Sequence, residues 1–230
     1  MKFLLVSLLS LAVGLSGCST TNKKEKTPHT TYKKPGSSKI GKRHITYLNG
    51  VEAGKKGNYK EAVKYYRQAA QQGHYMAMLN LGFSHATGQG VQQDYKKALY
   101  WYKRIPVRFS LASFNIGMLY LHGNGLPQDY KKALDNFRIA MKNGHVGSIN
   151  TIGYMYSNGL GVTQNKALAR QYYIEAATKG NSYAINNLGV EATRNGKHAE
   201  ARQWYGKAAR LGNKLAIKNL NLLNKKRTVE

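Results

Sequence analysis

The side chains that could bind a metal or transfer a proton are few and scattered. Seven histidines and ten acidic residues occur in 230 positions, and no two histidines stand at a His-x3-His spacing. A zinc site needs its ligands at recurring spacings. Acid–base catalysis usually needs paired carboxylates close together. Asp94 and Asp129 precede apolar periodic segments, where they would serve as helix N-caps. We therefore expect no metal, no cofactor and no catalytic activity.

Three Gly-x-Gly segments, at 88–90, 123–125 and 159–161, are candidates for phosphate-binding loops. A dinucleotide fingerprint needs a third glycine and a P-loop needs a Lys-Ser/Thr pair, and neither accompanies these segments. We interpret them as turns between helices.

The first eighteen residues contain the only cysteine of the sequence. Lys2 precedes an apolar stretch at 3–13, which is too short to span a bilayer, and Leu15-Ser16-Gly17-Cys18 follows. This ending resembles the lipobox of bacterial lipoproteins. The resemblance implies a signal peptide at 1–17 and a lipid on Cys18, and Ser19 is similar to the residue that accompanies sorting to the outer membrane. The expected location is that membrane, facing the periplasm. An ordinary signal peptide with a chance cysteine is the alternative.

The segment after the cysteine is basic and almost free of apolar residues. Residues 19–44 contain eight Lys or Arg and one Glu. Such a composition cannot bury enough surface to fold, so we predict a disordered linker over 18–44, beginning at the lipidated cysteine. Its charge could lie on anionic head groups, or the segment could be a solvated tether.

The whole sequence has 36 basic and 10 acidic residues, a formal net charge of +26. This balance favours an anionic partner, which could be nucleic acid, an anionic surface or an acidic protein. An envelope location argues against nucleic acid. We therefore expect an acidic protein partner, and we expect the protein to contact the membrane through its N-terminal lipid.

The remainder of the sequence repeats about every 35 residues. Leu-Gly or Ile-Gly recurs in the first half of the units, and the second halves carry an alanine four residues before Tyr or Phe, at Ala62, Ala98, Ala133, Ala169 and Ala201. Self-similarity at this period is typical of a solenoid. Apolar steps of four, seven and eight residues predict helices in both halves and no sheet.

Glycines stand inside the predicted first helices, at 82, 117, 153 and 189. Glycine in a helix interior costs about 1 kcal/mol relative to alanine, so a close approach of the paired helix must explain it. We expect the small alanine of that helix to make the contact. Pro106 is expected to end the second helix of its unit early.

Leu81-Gly82, Gly88-Gln89-Gly90-Val91 and Lys97-Ala98-x-x-Trp101-Tyr102 together resemble a Sel1-like repeat, a relative of the tetratricopeptide repeat. The pattern recurs in register in the next two units, whereas the first and last units lack the Gly-x-Gly-Val loop. The resemblance implies an all-α, right-handed solenoid over 45–224, with about five helix-loop-helix units. A capping helix is expected at 214–224 and a basic tail at 225–230.

Two columns of side chains are candidates for binding. Aromatic residues recur beside basic ones in the second helices; they could stack on bases or sugars, but a solenoid also needs large core residues there. Asn80, Asn115, Thr151 and Asn187 stand two residues before the helix glycines. The asparagines Asn80, Asn115 and Asn187 could clamp the backbone of a partner, or they could hydrogen-bond between neighbouring repeats.

The function that the resemblance implies is a non-catalytic scaffold that binds a protein on its solenoid surface. Lipid-anchored in the envelope, it could serve as a secretion-system immunity protein or in envelope assembly. One alternative is a binder of an anionic envelope polymer or lipid, such as peptidoglycan or acidic glycolipid. A second is an enzyme acting on peptidoglycan or β-lactams.

Overall fold

The computed structural model describes residues 39–227, and every regular element in that range is an α-helix. The helices are α1 (Lys39–Lys55), α2 (Tyr59–Gln71), α3 (Tyr75–Thr87), α4 (Tyr95–Lys103), α5 (Ser110–His122), α6 (Tyr130–Lys142), α7 (Val146–Asn158), α8 (Lys166–Thr178), α9 (Ser182–Arg194), α10 (His198–Arg210) and α11 (Lys214–Arg227). Each odd-numbered helix packs on the even-numbered helix that follows, and each even-numbered helix packs on the next odd one. The predicted helical solenoid of five paired units is confirmed, with α11 after the last pair. We call the odd helices α1 to α9 the first helices and the even ones the second helices.

Side-chain caps and left-handed glycines determine where several helices begin and end. Asp94, Asp129 and Asn165 each accept a hydrogen bond of 2.9 Å from the backbone N–H three residues ahead, at the starts of α4, α6 and α8. Helices α3, α5 and α7 end at glycines with φ of +76°, +65° and +70°. Glycine adopts this conformation without steric cost. The predicted caps Asp94 and Asp129 are confirmed.

The solenoid begins earlier than its composition suggested. Helix α1 starts at Lys39, so residues 39–44, which we assigned to the linker, are helical; that boundary is wrong. The reason is tertiary contact: Arg43 donates a 3.2 Å hydrogen bond to the backbone oxygen of Gln72, and the His44 ring stacks on His74. At the other end α11 continues to Arg227, three residues into the predicted tail. The signal peptide, Cys18 and the rest of the linker lie outside the described residues.

Pro106 shortens the second unit, as predicted. Helix α4 has 9 residues, whereas α2, α6, α8 and α10 have 13 each. Proline has no N–H to donate and its ring clashes with the preceding turn. A short loop at 104–109 therefore takes the place of the last helical turn.

An aromatic ring, rather than an alanine, lies against each helix glycine. A Cβ at Gly82, Gly117 or Gly189 would stand 2.5–2.6 Å from a ring atom of Tyr102, Phe137 or Tyr205. The nearest contacts are therefore ring atoms of the second helix, and not the expected alanine. These rings are no more than 3% exposed, so the prediction that this aromatic position belongs to the core is confirmed.

The second glycine of each Gly-x-Gly loop packs on the preceding repeat. Gly125 has φ of +70°, and a Cβ there would collide with the Cβ of Tyr95 at the start of α4. Gly161 faces Tyr130 at the start of α6 in the same way. These loops are turns that bring successive repeats together, as their sequence predicted.

None of the helices between residues 39 and 227 combines the length and the apolar content that crossing a bilayer requires.

Candidate protein-binding surface

The charged side chains are distributed unequally between the two layers of helices. Helices α3, α5 and α7 contain no Lys, Arg, Asp or Glu, and α9 contains only Glu191 and Arg194. Within helices α1 to α10 the second helices carry most of the basic residues; α2 alone contains Lys60, Lys64 and Arg67. Helix α1 is the exception among the first helices, because it contains Lys39, Lys42, Arg43 and Lys55. We call the exposed and half-buried surface of α3, α5, α7 and α9 the first-helix face. Apolar and amide groups dominate it.

Apolar side chains recur on the first-helix face at two positions seven residues apart. This separation places them on one side of each helix. One column contains Met76, Leu111 and Tyr183, and the other contains Phe83, Tyr154 and Val190; all of them are exposed or half-buried. The surface therefore offers apolar contacts across four successive repeats.

A cleft opens on this face between α3 and α5, where the shortened α4 leaves room. Its volume is about 180 Å³, and its walls are mostly apolar, with Arg108 as the one charged residue; they comprise Tyr75, Met76, Leu79, Ile105, Arg108, Phe109, Ser110, Leu111 and Ala112. The rings of Tyr75 and Phe109 lie 5.2 Å apart at one wall. Sites for small-molecule ligands usually measure about 300–1,000 Å³, so this cleft suits a single apolar side chain better.

The asparagine column contacts the neighbouring repeat. Asn80 is hydrogen-bonded to Tyr47 and Tyr66 of the first unit; burial raises the pKa of both hydroxyls, and the hydrogen bond partly offsets this effect. Asn115 bonds Tyr102 of the preceding unit, whose pKa burial also raises.

The column continues in the same way toward the C-terminus. The side-chain nitrogen of Asn187 donates a 2.9 Å hydrogen bond to Asn150, and that of Asn219 donates one of 3.0 Å to Asn186. Thr151 instead bonds the backbone of its own helix. Asn80, Asn115 and Asn187 are half-buried and have internal partners, as the inter-repeat alternative requires. Their contact with a partner stays a prediction.

Two histidines have a role that the sequence did not reveal. The Nδ1 atoms of His74 and His145 accept the backbone N–H of Ala77 and Ser148, at 3.2 and 3.1 Å, and so cap α3 and α7. Asn181 makes the same contact at the start of α9. Histidine is not among the preferred caps, which is why the pattern was missed. Burial lowers the pKa of His145 to about 4, so the ring stays a neutral acceptor.

His74 also helps to dock the first helix. Its Nε2 lies 3.2 Å from Nδ1 of His44, and its ring stacks on Tyr47 with 4.4 Å between centroids. Because Nδ1 of His74 is an acceptor, Nε2 carries the proton and donates to His44. Burial first, and then the nearby His44 and Arg43, lower the pKa of His74. Among residues 39–227, no three His, Cys, Asp or Glu side chains form a possible metal site; the absence of a metal stays a prediction.

Two carboxylates of the last repeat form an ion-pair cluster with an arginine of the preceding repeat. Arg170 lies 3.3 Å from Glu191 and 3.2 Å from Glu200, so it joins α8 to α9 and α10. Trp204 donates a 3.1 Å hydrogen bond to the same Glu200 oxygen. Hydrogen bonds from Trp204 and Arg170 lower the pKa of Glu200, which stabilises its ionised form. The cluster therefore connects three helices.

Comparison with known proteins agrees with this architecture. A family model for the Sel1 repeat matches residues 39–74, 76–105, 110–145, 150–181 and 182–213, which are the five helix pairs. A Sel1 repeat protein from Oxalobacter formigenes is 30% identical with a TM-score of 0.69, over 77% of this chain and 74% of that one. The protective antigen c5321 of uropathogenic Escherichia coli strains, which has the SLR fold, is 32% identical with a TM-score of 0.67 over 79% of this chain.

This chain spans only 41% of the length of the antigen c5321. The immunity protein Pa5087 of Pseudomonas aeruginosa is 23% identical with a TM-score of 0.53, over 76% of this chain and 68% of that one, and shares the fold alone.

Sel1 repeats form scaffolds for protein interaction. With five matched repeats over most of its length, the chain belongs to the Sel1 repeat family.

Proposed function

We propose that this protein is a membrane-tethered, non-catalytic scaffold that binds a segment of a partner protein on its first-helix face. The observation that carries this proposal is the absence of charged residues from α3, α5 and α7, three successive first helices. Charged residues make up 20% of the sequence as a whole. Depletion of charge with retained aromatic and Met residues is typical of the core of a protein interface.

The cleft beside Leu79 supplies the anchor point. An apolar side chain of the partner enters it, while the half-buried apolar columns on either side exclude water from the contact. The net charge of +26 acts at longer range and steers an acidic partner toward the protein. Added salt should therefore slow association while changing dissociation much less.

Site-specific photo-crosslinking in cells tests this surface. A photoreactive residue at Met76 or Leu111 should form an adduct with a partner protein, whereas one at Gln171, exposed on a second helix, should not. Leu79→Glu should abolish the adducts, because it places a charge in an apolar cleft. Circular dichroism of the Leu79→Glu protein checks that it is folded, and Leu111→Glu with the probe at Met76 is a second test. Adducts that form only from position 171, or that survive both substitutions, would overturn the proposal.

The tether rests on the motif that ends at Cys18. We expect labelled palmitate to enter the wild-type protein and not the Cys18→Ala variant. Labelling that persists in the variant contradicts a lipid on Cys18. Fractionation of the labelled wild-type protein tests outer-membrane sorting.

An immunity role or an envelope-assembly role would be a specific form of this function. If deletion of the gene leaves cells no more sensitive to attack by sibling cells, the immunity form is wrong.

A further inference from the structure

The second helices present a regular basic surface on the side away from their buried alanines. In α2 and α6, four positions that follow one another by four, three and four residues lie on one side; in α4, which ends at Lys103, three such positions do, and Val107 is exposed in the loop that follows. We call this surface the outward stripe; it comprises 60, 64, 67 and 71 beside α2, 96, 100, 103 and 107 beside α4, and 131, 135, 138 and 142 beside α6. All twelve of these residues are exposed.

The charge of the outward stripe is concentrated in these three repeats. The stripe there contains Lys60, Lys64, Arg67, Lys96, Lys103, Lys131, Arg138 and Lys142, with Asp135 as its one carboxylate. At the same positions α8 has Ala167, Gln171, Ile174 and Thr178, and α10 has Ala199, Gln203, Gly206 and Arg210. A general basic excess would have no reason to stop at the third repeat.

Most of these basic side chains have no carboxylate close enough for an ion pair. Among the residues that the structure describes, only Arg138 of the eight has a carboxylate within ion-pair distance, at 3.8 Å from Asp135. Like charges on neighbouring turns repel one another and destabilise the helix. An anionic surface laid against the stripe would remove that repulsion.

Apolar and aromatic side chains stand exposed among the cations. Tyr100 is 53% exposed and Val107 68%, and Ile139 is 38% exposed beside the stripe of α6. The guanidinium of Arg104 lies 5.3 Å from the centre of the Tyr100 ring. Tyrosine, arginine and lysine all have an apolar body and a polar tip, which suits the boundary between lipid head groups and acyl chains.

We propose that the outward stripe of α2, α4 and α6 docks on a bilayer surface that contains anionic phospholipid. Residues seven apart on a helix are separated by about 10 Å, and α2, α4 and α6 belong to three successive repeats. The cations are therefore spread over three helices, which suits a surface of anionic head groups better than a single acidic segment. Tyr100 and Val107 reach into the head-group region. This inference goes beyond the proposed function, since it uses the other layer of helices and needs no partner protein.

Fluorescence quenching in vesicles tests the docking with the full-length protein. The sequence has two tryptophans, Trp101 and Trp204, which are both changed to Phe. A single reporter is then placed by Tyr100→Trp or, as the matched control, by Gln203→Trp at the equivalent position of α10. The proteins are reconstituted in phosphatidylcholine vesicles whose lipids carry bromine near the head group, with or without phosphatidylglycerol. We expect quenching of the Tyr100→Trp reporter only with phosphatidylglycerol, and none of the Gln203→Trp reporter.

Charge neutralisation separates the stripe from net charge. Changing Lys60, Lys96, Lys103 and Lys131 to Gln should weaken the docking at least a hundredfold, since each basic residue near an anionic surface contributes roughly fivefold. Changing Lys166, Lys197, Lys214 and Lys218 to Gln removes the same charge elsewhere and should preserve the quenching.

Several results would overturn the proposal. They are quenching that is equal at both reporter positions, quenching without phosphatidylglycerol, and equal loss in the two neutralised variants. If the Tyr100→Trp reporter is not quenched in any vesicle, and if neutralising Lys60, Lys96, Lys103 and Lys131 removes a cross-link to another protein, the stripe binds an acidic protein instead.

Discussion

Gly117 lies directly against the ring of Phe137, and a Cβ on Gly117 would stand 2.6 Å from Cε1 of that ring. Phe137 is 0% exposed, so its ring has no open space to move into. Gly117→Ala should therefore lower the free energy of unfolding by roughly 1–3 kcal/mol through overpacking. Urea denaturation followed by circular dichroism measures the change.

Gly206 provides the matched control for this substitution. It also lies inside a helix, but the nearest atom to its added Cβ is the end of the Arg210 side chain, at 3.9 Å. Gly206→Ala should raise the unfolding free energy by up to about 1 kcal/mol, since alanine is the better helix former. Shifts of the same sign in both variants would contradict the steric explanation for Gly117.

The loop glycines allow a second comparison. Gly125 and Gly144 both have positive φ, of +70° and +85°, but only Gly125 faces a neighbour; a Cβ on Gly144 would meet nothing within 4 Å. Alanine at either position should lower the free energy of unfolding by roughly 1–2 kcal/mol, because its side chain disfavours the left-handed backbone conformation. Gly125→Ala should lower the free energy of unfolding by roughly 1–3 kcal/mol more, because it pushes the loop away from Tyr95. Equal losses in urea midpoints would show that the loop does not stack on the preceding repeat.

His145 should make the stability dependent on pH. The pKa of His145 is lowered from 6.5 to about 4 by burial. The unfolded chain therefore binds a proton at a higher pH than the folded chain does. The stabilisation is complete above about pH 6.5 and is lost progressively as the pH falls toward 4.

The variant His145→Asn removes this titration and keeps an acceptor for the Ser148 N–H, as Asn181 does in α9. Between about pH 7 and pH 4 the wild-type protein should lose roughly 2 kcal/mol more stability than the variant, after allowance for the solvent-exposed part of the ring. Unfolding in urea across that range measures both. Parallel pH profiles would contradict the lowered pKa of His145.

Asn187 and Asn150 should contribute to stability as a pair. Their hydrogen bond joins α9 to α7 across 2.9 Å. In a double-mutant cycle with Asn187→Ala and Asn150→Ala, we expect a coupling energy of about 0.5–1.5 kcal/mol. A coupling near zero, with cross-linking to the partner lost in Asn187→Ala, would favour the partner clamp instead.

Short-range signals predicted the helix boundaries well. Asp94 caps α4 and Gly88 ends α3 through contacts within a few residues, so the information lies beside the boundary itself. Pro106 acts locally too. The start of α1 was missed because it depends on Gln72 and His74, about thirty residues away, against a local composition that favours a linker.

The candidate surface was predicted less completely. The sequence identified the asparagine column and left two roles open, because a periodic pattern shows that residues share a face and not which atoms they meet. The absence of charge from the segments that form α3, α5 and α7 was visible in the sequence. Its meaning required the knowledge that these helices share one layer.

The sequence by itself determined the repeat, its period and its helical units, because hydrophobic periodicity, caps and glycines act over one or two turns. Only the tertiary structure decided that an aromatic ring, and not an alanine, lies nearest to each of the helix glycines 82, 117, 153 and 189. It also decided that the uncharged helices α3, α5 and α7 belong to one layer and the basic outward stripe to the other. Both depend on which helices stack side by side, and that arrangement arises from contacts between residues far apart in the chain.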